Sequence, residues 1–329
     1  PAGGRRHVRF VDPAPNSYLM SPDALSAVAK PSCALVLSEL YGIAYAPYVL
    51  DELDTLDSAV RIIDAAMGIP SPTRLRELRP RDVILFSFGM GKCLCAGGGG
   101  IALFADRELA RRVRALRDDV YRGRSQPLWD KSDLQLIAGT ALRSRPLCGQ
   151  AAKVRSLVQR RRAARTSHVS ARERAPQSAN PIDNDAKPTA PAHPDTPEWQ
   201  HMMTAAQRQL AAYNLRRCAD SQRLRHAQAE QYRRQLDGSV LVGIDARFPP
   251  ESHFPIRVSP ERRDRIRERL RASGIETGDE FEFSGLLREA EHPIALRTSR
   301  EVLTLPLGEA VSTRDIARIC KVVAQALRA

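Results

Sequence analysis

The sequence predicts a layered α/β domain followed by a smaller α+β domain. Three observations lead to that expectation. Short apolar runs alternate with amphipathic helical spacing over the first 120 residues. A stretch rich in Pro, Ala, Ser and Asn, with almost no large apolar side chain, interrupts the middle. Beyond it, a long helical pattern leads into a second, shorter alternation of strands and helices over 239–329.

Taken in order, residues 1–16 are polar and irregular. SPDALSAVAK predicts a short helix with Ser21 as N-cap and Pro22 at its first position, where a missing N–H costs nothing. CALVLSEL predicts a buried strand that ends near Tyr-Gly. TLDSAVRIIDAA carries two signals: its apolar spacing fits a helix, whereas VRIID fits the end of a short strand. DVILFSF is a strand, and GGIALFAD is another, entered through the glycines. DRELARRVRALRDDV predicts an amphipathic helix capped by Asp106, with Leu109, Val113 and Leu116 on one face.

The spacing of QLIAGTALRSRPLCGQAAKVRSLVQRRRAARTS is partly helical, and HVSARERAPQSANPIDNDAKPTAPAHPDTPE reads as a loop too poor in apolar surface to order itself. A long helix is expected from Trp199, with Met203, Leu210, Tyr213 and Leu224 near one stripe and Gly238 ending it. After it come HFPIRVS, PERRDRIRERLRASG, EVLTLPLG and STRDIARICKVVAQALR, which alternate strand and helix. The expected organisation is therefore 1–139 as a large-domain part, 140–197 as an insertion, 198–237 as a connecting helix and 238–329 as the small domain.

Bulk composition narrows the function. The chain has 329 residues and 43% hydrophobic content, enough for a real core in two domains. No apolar run approaches the roughly 18–20 residues of a membrane span. The cysteines Cys33, Cys93, Cys95, Cys148, Cys218 and Cys320 form no CxxC pair, so zinc and disulfide frameworks are not indicated and reduced thiols are expected. The net charge of +13 comes largely from arginines interleaved with acids, as in ERRDRIRERLRASG, a pattern of solvated helix faces. It argues against nucleic acid as the main partner. No signal peptide is visible, and the start at Pro1 points to a fragment or a processed product.

Two polar residues stand out because they close apolar runs. Asp64 ends VRIID, and Lys92 follows DVILFSF in Ser-Phe-Gly-Met-Gly-Lys, with four glycines at 97–100 shortly after. In α/β sheets, ligands gather at the carboxyl ends of strands. A sheltered lysine can bond an aldehyde covalently, and a carboxylate in the same pocket can keep a pyridine nitrogen protonated. Ser87, five residues before Lys92, carries a hydroxyl suited to a phosphate. The plain alternatives are a turn-capping Asp, a surface Lys and a glycine loop. The glycine run is neither a dinucleotide fingerprint nor a Walker loop.

The stretch IIDAAMG…DVILFSFGMGKCLCAGGGGIALFADRELARRVRALRD resembles the DegT/DnrJ/StrS family of pyridoxal-phosphate (PLP) sugar aminotransferases. Upstream, MSPDALSAVAKPSCALVLSELYG is similar to the family segment before a strand end, with Glu39 where a histidine is often found. The pieces after residue 250 resemble its small domain. The resemblance implies a fold type I PLP-transferase, aspartate aminotransferase-like, with a truncated three-layer αβα large domain and a small α+β C-terminal domain. It implies Lys92 as the catalytic lysine that also anchors the cofactor, Asp64 at the pyridine nitrogen, Ser87 at the phosphate and Met67 near the ring's phenolic oxygen.

Met67 departs from the usual Gln or His, and a thioether accepts hydrogen bonds weakly. Lys92 argues against the family branch that carries histidine and removes a hydroxyl. The implied activity moves an amino group, from glutamate in most of the family, to a nucleotide-linked keto-sugar in polysaccharide or secondary-metabolite biosynthesis. A cytoplasmic homodimer without metal is expected. The competing readings are a catalytically degenerate relative with a regulatory or assembly role, and a basic nucleic-acid-binding protein using Arg160–Arg162.

Overall fold

The computed structural model describes residues 8–29, 33–54, 60–70, 76, 78–121, 202–278 and 289–328. Among the described residues, those before 121 and those after 205 form one compact unit. The insertion expected at 140–197 lies outside the described residues, as does the expected helix start at Trp199.

In this unit, β1 (Ala34–Ser38), β2 (Val60–Asp64), β3 (Asp82–Ser87) and β4 (Gly100–Phe104) form one sheet in that order. The first three are parallel and β4 runs antiparallel to β3. The double signal of TLDSAVRIIDAA resolves as strand at 60–64, because β2 is bonded on both sides, to β1 and to β3. Leu35, Leu37, Ile63, Ile84 and Phe86 bury one sheet face together with Leu25 of α1 (Pro22–Val28) and Leu53 of α2 (Pro47–Asp54). Ser21 caps α1, its hydroxyl accepting from the Ala24 amide at 3.3 Å, with Pro22 at the helix start.

The starts of β2 and β3 are locked by charge. Arg61, only 2% exposed, donates through Nε to Asp82 Oδ1 at 2.7 Å and through a second nitrogen to the Leu50 carbonyl at 3.1 Å. Asp82 Oδ2 also accepts from the Arg79 amide. Asp54 pairs with both arginines, so α2 is tied to this edge of the sheet.

The helix α3 (Arg107–Val120) forms as its pattern predicts, with Asp106 Oδ1 accepting from the amides of Glu108 and Leu109. Its apolar stripe does not pack as expected, for none of its residues is buried and Leu116 is 67% exposed.

The single long helix expected up to Gly238 is two helices, α4 (Ala205–Arg216) and α5 (Cys218–Gln235), broken at Arg217. There the Arg217 amide bonds the Asn214 carbonyl, three residues back instead of four, which tightens the turn. Gly238 does not end α5. The chain leaves the helix at extended Leu236, and Gly238 opens a 3-10 turn capped by Asp237. The buried face of α5 is polar in large part: Ser221, Arg225, Gln228, Ala229 and Tyr232, spaced as one helical stripe. Gln228 donates to the carbonyls of Gly308 and Val311, and Tyr232 to that of Pro306 at 3.1 Å. Tyr213 and Leu224, expected near one stripe of the helix, are exposed.

Around that stripe the C-terminal part closes its own core. The antiparallel pair β5 (His253–Arg257) and β6 (Val302–Pro306) packs with α6 (Pro260–Ala272) and α8 (Thr313–Arg328). Phe254, Ile256, Ile266, Leu270, Leu305 and Val323 are fully buried there. The remaining helix, α7 (Pro293–Glu301), takes its cap from the far end of the chain. Asp12 accepts from the amides of Ile294 and Ala295, each at 2.9 Å, and Phe10 packs edge-on to His292.

Candidate active site

β2 and β3 deliver their last residues to the same edge of the sheet. Asp64 closes β2 opposite Leu85, and Ser87 closes β3 opposite Gly100 of β4. Asp64 is half-buried. One carboxylate oxygen accepts from the Ala66 amide at 3.1 Å, and its carbonyl accepts from Glu39, which binds β1's end to β2's end. Among the described residues its second oxygen has no hydrogen-bond partner.

Lys92 sits in the turn between β3 and β4, five residues past Ser87. Its amide bonds the Gly89 carbonyl at 3.2 Å, while Phe88 exchanges bonds with Gly99 and Ala96 across the base of the loop. Ser87 Oγ accepts from the Gly89 amide at 3.1 Å, which leaves its proton free to donate outward. Gly89 lies between these groups: a Cβ there would stand a tight 3.3 Å from Ser87 Oγ and an ordinary 3.9 Å from Lys92 Cγ. The half-buried Lys92 side chain has no ion pair among the described residues. Asp64, Ser87 and Lys92 thus come to one end of the sheet, carried by adjacent loops.

Met67 is different. Its side chain packs against the cluster of Tyr18, Tyr41, Ile43 and Val302, and its carbonyl does the work near Lys92. That oxygen accepts from the Cys93 thiol at 3.4 Å.

Sequence reasoning passed over three further residues. Cys93 donates between the carbonyls of Met67 and Glu251, both at 3.4 Å. Burial pushes its thiol up to about 11, against the pull of Arg225 and Lys92. Asn214 of α4 donates to the Cys95 carbonyl at 2.8 Å and pins the loop from the other side. Glu251, buried just before β5, accepts from the Ile69 amide at 2.6 Å. Cys93 was visible beside Lys92. Glu251 and Asn214 follow no periodicity that marks them.

His253 at the start of β5 is held below its usual range, first by burial and then by the cations Arg225 and Lys92. Among the described residues no group of three or more His, Cys, Asp or Glu is arranged to hold a metal. No helix there is long and apolar enough to cross a membrane.

The sequence model of the DegT/DnrJ/EryC1/StrS aminotransferase family matches residues 5–168. The chain belongs to this family. That match covers all the strands of the main sheet together with Asp64, Ser87 and Lys92. No curated protein matches the sequence.

Among solved structures, DesV of S. venezuelae, in complex with a ketimine intermediate, is 21% identical. It superposes with a TM-score of 0.62 over 97% of this chain and 72% of its own. DesI, solved with its TDP-sugar product, is 19% identical with a TM-score of 0.59, over 97% and 69%. The ntda protein of Bacillus subtilis, with bound cofactor PMP, is 15% identical with a TM-score of 0.61, over 98% and 62%. At these identities the likeness carries the fold. The DegT/DnrJ/EryC1/StrS chain has the fold type I aminotransferase architecture, with three parallel strands presenting their carboxyl ends to the site.

Proposed function

We propose that this chain is a PLP-dependent aminotransferase that moves an amino group from an amino acid, glutamate in the reading we favour, to a nucleotide-linked keto-sugar. The observation that carries the proposal is the meeting, at adjacent loops of one end of the sheet, of a carboxylate oxygen, a hydroxyl proton and an amine that have no partner among the described residues. This donor set fits the cofactor. Lys92 would hold it covalently, Ser87 would donate to its phosphate, and Asp64 would keep its ring nitrogen protonated. When bound, PLP supplies an electron sink for charge developing at the substrate carbon. Once the donor's amino group displaces Lys92 from that bond, the freed Lys92 amine would take the proton from the donor's Cα, and in the second half of the exchange would deliver one to the acceptor carbon. The Met67 thioether packs into the Tyr18–Tyr41 cluster, so the phenolic oxygen is not assigned to it.

The family and the ligands named for DesV, DesI and ntda support this reading. On it, residues 1–139 contribute the cofactor-binding large domain, 140–197 an insertion, 198–237 the connecting helical segment and 238–329 the small domain. The enzyme works as a cytoplasmic homodimer in polysaccharide or secondary-metabolite biosynthesis. Light scattering of the purified chain tests the dimer.

The decisive experiment is reduction with borohydride after adding PLP, followed by peptide mass spectrometry. A phosphopyridoxyl adduct is expected on Lys92. It should vanish in Lys92→Ala and weaken in Asp64→Asn. An adduct spread over surface lysines with Lys92 unlabelled would overturn the proposal.

A further inference from the structure

We propose that Glu251 is the positioning residue that sets the Asp64 loop and the Lys92 loop against each other. The inference rests on the function proposed above for those two side chains. Glu251 is only 4% exposed and lies far along the chain from both loops, 182 positions from Ile69 and 158 from Cys93.

It touches each of them directly. Its Oε2 accepts from the Ile69 amide at 2.6 Å, five residues past Asp64. Its carbonyl accepts from the Cys93 thiol at 3.4 Å, one residue past Lys92. The carboxylate is held in turn by α5: Oε1 accepts from Gln222 Nε2 at 2.5 Å and lies 3.2 Å from His226 Nε2. Arg225 donates to the Glu251 carbonyl at 2.8 Å, and the Glu251 amide donates to the Tyr41 carbonyl at 3.0 Å.

A buried carboxylate is costly to desolvate unless its oxygens find donors. Here that cost is offset only when the Ile69 amide, Gln222 and His226 converge, so the acceptor oxygens of this side chain dictate where the Asp64 loop ends. The main chain at 251 dictates where Cys93 sits, and with it Lys92. Gly42, at φ +77°, leaves the passage open: a Cβ there would fall 2.9 Å from Glu251 Cβ and 2.5 Å from the Met67 carbonyl. Cys93 closes the triangle by donating toward that Met67 carbonyl as well.

The test compares the full chain with Glu251→Ala and Glu251→Gln. Glutamine keeps the volume and an oxygen for the Ile69 amide, whereas alanine keeps neither. The first readout, labelling of Cys93 by a thiol reagent resolved by peptide mass spectrometry, needs no cofactor. Glu251→Ala should label at least about tenfold faster than the unmodified chain, the scale of one lost charge-assisted hydrogen bond, and Glu251→Gln should stay within about threefold of it. The second readout, the borohydride-fixed adduct on Lys92, should fall by about tenfold in Glu251→Ala and recover in Glu251→Gln.

Rescue by glutamine separates positioning from general loss of fold. Equal Cys93 labelling in the three proteins overturns the inference whatever Lys92 does. If the unmodified chain takes no PLP on Lys92 while the thiol pattern holds, the proposed function falls and the role of Glu251 in fixing the loops stands. Should Glu251→Ala not melt cooperatively, Gln222→Ala replaces it. Removing that donor is expected to raise Cys93 labelling by about threefold, and unchanged labelling overturns the inference.

Discussion

Cys93 lies beside the lysine on which the proposed chemistry depends, and its own chemistry is suppressed. Burial raises its thiol from an ordinary 9.0 to about 11, so it stays protonated at neutral pH. Alkylation of Cys93 should therefore be slow near neutrality and accelerate only as pH approaches that value, which a pH series of peptide-resolved labelling would measure. The glycine between Ser87 and Lys92 carries a second prediction. In Gly89→Ala the new methyl crowds Ser87 Oγ at 3.3 Å, so PLP fixation on Lys92 should fall by about tenfold while the thermal midpoint moves by no more than a few degrees. At this scale, Asp64 and Ser87 were legible because each is a polar residue closing an apolar run. Met67 was legible as a departure from the family pattern, but not as a side chain turned into the Tyr41 cluster. Glu251 was not legible at all, since a contact across 182 positions leaves no local mark.

Elements show where pattern suffices and where packing decides. The strands of the main sheet were readable as apolar runs, and the caps at Ser21 and Asp106 as short polar residues before helical spacing. The reversed direction of β4 was not readable, because period-2 alternation carries no sense of chain polarity. Nor was the break between α4 and α5, which no Pro or Gly marks, or the polar stripe of α5, whose side chains are satisfied by carbonyls distant in sequence. Tyr232→Phe should cost about 1 kcal/mol, the usual worth of one such bond, in urea unfolding. The Arg61–Asp82 pair at the opposite edge of the sheet should cost far more to break. Asp82→Ala leaves a buried guanidinium short of its carboxylate, an effect of about 3–5 kcal/mol, readable from the same urea curves.

The molecule as a whole should be most stable in a bounded pH range. On the alkaline side, burial raises the thiols of Cys93 and Cys320 to about 11 and lifts Tyr18, Tyr45 and Tyr232 as well. The unfolded chain releases those thiol protons from about 9.0 upward, before the folded one does, so stability falls as pH rises between 9.0 and about 11. On the acid side, His253 resists protonation when folded, so the unfolded state binds the extra proton and stability falls as pH drops below 6.5. Thermal melts across pH should show a plateau between those limits, and His253→Gln should soften the acid shoulder. The expected division into a large and a small part rested on a change of pattern along the chain, whereas the described residues before 121 and after 205 pack as one compact unit. The +13 charge was visible too, and among the described residues some of its arginines meet acids on the same helix, as Arg263 and Arg267 meet Asp264 on α6.

Asp12 gives that architecture a consequence for anyone who shortens the chain. The carboxylate that seats the first turn of α7 belongs to a residue 282 positions earlier. Trimming a dozen or so residues from the front would strip a helix near the back of its anion and leave two amides seeking water. The damage would surface in protease cleavage around Pro293, and a short synthetic peptide spanning Phe10–Asp12, supplied in trans, should protect that bond again.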